Sequence, residues 1–191
     1  MSPPWLVPRG EVVAHWPVAA LLCPLVFAAI GPVTVTMLPV ALFVILAQLP
    51  LYMAHQVEEH ANDRFRHFIN ARFGAGVLSP EAVAVINLPG VWGVMLLGFA
   101  LAAFAGPGWG LVAPYLSLIN ALIHVIAFVA LRAYNPGLVS AVVLLLPGGL
   151  LGVLLVPGSM AQHALAALVV LAIHAAIVVH VKTRAASLRA A

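Results

Sequence analysis

The stretch PVALFVILAQLPLYMAHQVEEHANDRFRHF, Pro39 to Phe68, passes from an almost wholly apolar half into a strongly polar one. Three of the chain's five carboxylates, Glu58, Glu59 and Asp63, lie in the second half. A spanning helix needs about 20 mostly apolar residues, so the first half reads as a membrane span. The polar end then poses the functional question: why do two adjacent glutamates sit at the end of a greasy helix?

The rest of the chain supports the membrane reading. It is 64% hydrophobic and 7% charged, against about 25% charged residues in a soluble domain. At 191 residues it makes one integral membrane domain over 1–191, with no separate soluble unit. The formal charge of +3 belongs to membrane edges and not to a nucleic-acid surface. A single cysteine, Cys23, excludes an internal disulfide and reads as a small hydrophobe in an apolar run.

The expected fold is all-α, a polytopic transmembrane helix bundle of about six spans. These fall near 12–30, 33–56, 82–105, 110–132, 138–156 and 160–181. Gly31-Pro32, the polar 57–81 region, Gly106-Pro107-Gly108, Asn135-Pro136-Gly137 and Pro157-Gly158 supply the breaks. Pro24, Pro39, Pro114 and Pro147 read as kinks inside spans. With six spans, Arg9, Arg64, Arg66, Arg72, Arg132, Lys182, Arg184 and Arg189 all fall on one side. The positive-inside rule makes that side the cytoplasm, with both termini there. Trp5, Trp16, Trp92 and Trp109 read as interface or packing residues.

On a helix, residues three or four apart share a face, so His55 lies over both Glu58 and Glu59. The helix is expected to continue unbroken to about Phe73, with His60 and His67 at the surface. His55, His124 and His174 lie nine, eight and eight residues before Arg64, Arg132 and Lys182. At about 1.5 Å per residue, three parallel spans put one histidine each in a common layer. Asn120 shares a face with His124, and Asn87 enters near the same depth.

Charges inside a bilayer cost about 2.5–3.5 kcal/mol each near its centre. Two adjacent glutamates there need compensation from a metal, a cation or water. Imidazole nitrogen with carboxylate oxygen suits zinc, iron or manganese. The plainer alternative has both glutamates facing interfacial water beside Arg64 and Arg66. No His-Glu-x-x-His, Glu-x-x-His, phosphate-binding Gly loop or Gly-x-Ser-x-Gly is present.

His55-Gln56-Val57-Glu58-Glu59, the later membrane histidine His124 and Tyr134-Asn135-Pro136-Gly137 together resemble the HXXEE family of small bacterial integral membrane proteins. The resemblance covers roughly residues 45 to 150. It implies a bacterial inner-membrane location and a shared importance for His55, Glu58, Glu59 and His124, but no activity. Asn-Pro-Gly also has a structural account as a tight turn, with Pro fixing φ and Gly taking φ > 0.

The leading functional expectation is a metal-dependent hydrolase or oxidoreductase acting on a lipid or other hydrophobic substrate. His55, Glu58, Glu59 and His124 are the candidate ligands to a divalent transition metal, and whichever of Glu58 and Glu59 is left free becomes the general base. Asn87, Asn120, Arg132, Tyr134, Asn135 and His174 are candidates for orienting ligands or touching substrate. Three alternatives remain open. One is a proton- or ion-coupled small-molecule transporter. The others are a metal-free acid-base enzyme and an accessory membrane subunit. Oligomeric state is left open.

Overall fold

The computed structural model describes residues 9–190, with side chains from residue 16 onward. Trp5 lies outside the described residues, as do the side chains of Arg9 and His15. Among the described residues there is helix and no strand. Six helices are long and apolar enough to cross a membrane. In chain order the elements are α1 (Arg9–Met37), α2 (Val40–His60), the short α3 (Arg64–Phe73), α4 (Pro80–Ala105), α5 (Pro107–Leu131), α6 (Leu138–Leu155) and α7 (Met160–Ala190).

Two local expectations are corrected. Gly31-Pro32 does not break the chain: Pro32 lies inside α1, as do Pro17 and Pro24. The break falls at Leu38-Pro39, where Pro39 (φ −51°, ψ 139°) precedes the first residue of α2. A proline removes one backbone donor from a helix, a loss that spans tolerate, so its presence alone does not locate the turn. Nor does α2 run unbroken to Phe73. It stops at His60, and Asn62 (φ 55°) and Asp63 (φ 60°) both adopt the left-handed conformation before α3 begins. Asn and Asp tolerate that region better than other L residues. The expected stop at Gly74 (φ 128°) is observed.

Helix α2 is central. It packs against α1, α4, α5 and α6, while α7 packs mainly on α5. Ile45, Met95, Leu111, Leu116 and Leu145 fill the middle. Helices α5 and α6 come close because Gly149 and Gly152 face Leu118 and Pro114: a Cβ on either glycine would lie 2.5–2.6 Å from those residues. Small residues allow such approach between spans. α4 and α6 each carry a π-helical turn, Leu88–Gly93 and Ala141–Leu145, one containing Pro89 and the other just before Pro147.

The outer faces of α1 and α7 expose Leu21, Leu22, Leu25, Leu168 and Leu171. A surface this apolar suits lipid tails and not water. α3 lies across one end of the bundle. Its Ile69 packs on Val77, Val181 and Ala185, and the Asn70 amide exchanges hydrogen bonds with the backbone of Leu78 at 3.0 and 2.8 Å. This basic end carries the arginines of α3, Arg132 and the cations of α7.

Candidate functional site

His55 and Glu59 are one helical turn apart and share a face of α2, close to its end. His124 projects towards them from α5. His55 Nε2 lies 3.5 Å from Glu59 Oε2, and His124 Nε2 lies 3.6 Å from Glu59 Oε1. One atom from each of the three residues lies within 4.8 Å of the others, and all three residues are buried. The two imidazole rings meet edge to face, with centroids 4.9 Å apart.

Hydrogen bonds fix which nitrogen of each ring carries the lone pair. Asn135 Nδ2 donates to the His124 carbonyl at 3.0 Å, which leaves its Oδ1 to accept from His124 Nδ1–H at 2.6 Å. Neutral His124 therefore carries its lone pair on Nε2, facing Glu59. The Ser140 hydroxyl donates its one proton to Glu58 Oε2 at 2.5 Å. Its oxygen then accepts from His55 Nδ1–H at 3.0 Å, so the His55 lone pair is also on Nε2. Asn120 Nδ2 donates to that nitrogen at 3.1 Å. Metal-binding histidines are held in this way through one ring nitrogen, and an ion on His55 Nε2 would replace the Asn120 bond.

Glu58 is not in this group. Successive helical residues do not face each other, so Glu58 points away from Glu59, towards the start of α6. It accepts from the Ser140 backbone N–H at 2.7 Å, the Val139 N–H at 3.3 Å and the Tyr134 hydroxyl at 2.7 Å. A carboxylate suits the open donors of a helix N-terminus. Burial, and then the bond to Glu58, push the Tyr134 phenol above its ordinary value, so it stays a donor. Arg132 ends α5 with φ 50°, is exposed, and lies apart from the three buried residues.

The Tyr134-Asn135-Pro136-Gly137 segment is part of the site. The Leu138 N–H bonds to Asn135 O at 3.1 Å, and Gly137 has φ 94°, which makes a turn with Pro and Gly in the expected places. A Cβ on Gly137 would lie 2.6 Å from His55 Cε1 and 2.9 Å from His124 Cε1. Both rings rest on the bare glycine.

The common histidine layer is present. His174 Nδ1–H donates to Val170 O at 2.9 Å, and its Nε2 lies 3.5 Å from Asn120 Oδ1. Asn87 is buried at that depth and accepts from Gln56 Nε2 at 2.6 Å. A cavity of about 300 Å³ opens beside the layer, walled by α3, α4, α5 and α7. Glu59, His60, Asn87, Asn120, His124, Asn135, His174 and Lys182 supply most of its polar lining, and the remainder is predominantly apolar.

Three contributors were not foreseen. His60, expected at the surface, is 5% exposed. Its Nε2 lies 3.2 Å from Glu59 Oε2, and its ring packs edge-on against Trp16 and Phe65. It turns inward because α2 ends at this residue. Ser140 carries no motif and becomes legible only once Glu58 is seen to reach α6. Gln56, inside the first motif, bonds both Asn87 and Trp92, whose indole donates at 2.6 Å.

The donor set fits a divalent transition metal. With bonds of about 2.0–2.1 Å, tetrahedral ligands stand roughly 3.3 Å apart; each imidazole Nε2 stands 3.5–3.6 Å from a different oxygen of Glu59, and one atom from each of the three residues lies within 4.8 Å of the others. Three protein ligands would leave coordination positions open, as in catalytic and not structural sites. The family model described as "Protein of unknown function with HXXEE motif" matches residues 46–152. No curated protein and no solved structure matches the chain.

Proposed function

The chain belongs to the family of proteins of unknown function with an HXXEE motif, and from that premise we propose that it is a metal-dependent membrane enzyme acting on a hydrophobic substrate. His55, Glu59 and His124 would hold one zinc, iron or manganese ion. The observation that carries this reading is the pair of anchored rings, whose Nε2 lone pairs converge on one buried carboxylate. When bound, the ion supplies Lewis-acid polarisation or an activated water. Asn135 and Ser140 hold the rings, and Asn120 presents an N–H beside the open positions. Glu58 fixes the start of α6 and so holds Ser140. The apolar cavity excludes water and admits a lipid-like molecule. The location we propose is a bacterial inner membrane, with the basic end and both termini in the cytoplasm.

A metal-free acid-base reading draws on a different contact, the Glu59–His60 pair at 3.2 Å. Metal content by mass spectrometry on purified protein decides between them, with Glu59→Gln and His124→Ala beside the wild type. About one ion per folded chain, lost in both variants, is the expected result. A folded wild type that takes up no zinc, iron or manganese after reconstitution would end the metal reading and bring acid-base chemistry forward.

A further inference from the structure

The cavity has a direction. It is open at the basic end, where Phe73 and Lys182 are exposed, and along its side, where Ile123 and Val178 are exposed. Its floor is Leu116 and Val91, 0% and 4% exposed. The α7 wall runs from Ile173 to Lys182, nine residues or roughly 13 Å at the helical rise. Among the described residues, no carboxylate lies within ion-pair distance of Lys182.

The length of the α7 wall sets the scale of the occupant. Single C–C bonds of about 1.5 Å advance roughly 1.25 Å along an extended chain, so 13 Å takes about ten carbons. The α7 wall thus matches one acyl chain of that length, and the lining makes a slot for it.

We propose that this slot binds one linear chain of about ten carbons from a single-chain anionic amphiphile. Its head pairs with Lys182, and its chain runs down α7 past Ile177 to the Glu59–His124 layer. His174 lies eight residues below Lys182 on α7 and at the depth of Asn120, so the layer faces the far end of the chain and not the head. The assignment rests on reading that layer as the reactive centre. It narrows the substrate to one carrying its reacting group along the chain.

The test uses the full chain in phospholipid nanodiscs at pH 8, with radiolabelled hexanoate, decanoate and hexadecanoate as probes and metal content measured on the same samples. Saturable binding at one per chain, strongest for decanoate, is expected. Lys182→Gln should weaken decanoate by up to about fivefold, the range of an exposed ion pair, and leave decanol unchanged. Ile177→Trp should abolish binding of both. If that variant does not fold, Ile173→Phe and the chain-length series on the wild type decide the matter. Affinity rising steadily to hexadecanoate means bilayer partition and overturns the proposal. A protein that holds its ion but binds no decanoate also overturns it while leaving the metal reading intact. Decanoate binding without any ion supports the slot and removes the metal.

Discussion

Glu58 and Ser140 join the first motif to the start of α6: the Ser140 hydroxyl donates to Glu58 Oε2 at 2.5 Å and accepts from His55 Nδ1–H at 3.0 Å. One glutamate of the adjacent pair thus orients the histidine with which the other shares a site. The motif reads as two functions on two faces of one helix.

Glu58 and Glu59 should therefore fail differently. Glu59→Gln removes a ligand and is expected to lower metal affinity by more than about 100-fold. Glu58→Gln removes an anchor of the supporting shell and should cost about 10-fold. It should also lower thermal stability through the weakened cap. Isothermal titration with zinc on both variants checks this, and equal losses would refute the division of labour.

Gly137→Ala combines a left-handed backbone with two clashes. The conformation costs roughly 1–2 kcal/mol, and overpacking adds about 1–3 kcal/mol. Gly76 is the control. It also has positive φ, but a Cβ there meets nothing within 4 Å, so Gly76→Ala should show only the backbone cost. Thermal melts in one detergent compare the two. Metal loss is expected in Gly137→Ala alone.

Asn135→Ala frees His124 Nδ1 and leaves the buried His124 carbonyl without the Asn135 donor. Such losses cost about 1–3 kcal/mol, and metal affinity should fall roughly 10- to 100-fold. A variant that binds metal like the wild type would mean the Asn135 bond has no orienting role.

Metal removal should destabilise the wild type by mass action. At a free-ion concentration 100 times Kd, binding adds about 2.7 kcal/mol, which a chelator would take away. The melting temperature should fall with chelator and return with the ion. In His124→Ala it should respond to neither.

Topology is testable by cysteine labelling in a Cys23→Ala background. Ala75→Cys and Ser187→Cys lie at the basic end and should react from the cytoplasmic face. Ser159→Cys, in the loop before α7, should react from the opposite face. The reverse pattern would overturn the positive-inside assignment.

Composition and periodicity were enough to make the chain an all-helical bundle with six helices fit to cross a membrane, because a bilayer demands long apolar segments with internally satisfied backbones. Equal spacing from the basic boundaries was enough to set His55, His124 and His174 in one layer, because helical rise converts residue count into depth. Rotation about each helix and contacts between distant segments were beyond that reasoning. Only the tertiary structure decided that Glu59 faces His124 while Glu58 faces Ser140. It alone turned His60 inward at the end of α2 and set Gly137 beneath both rings. Depth follows from local geometry along one helix. The identity of facing side chains follows from how helices pack, to which residues far apart in the chain contribute together.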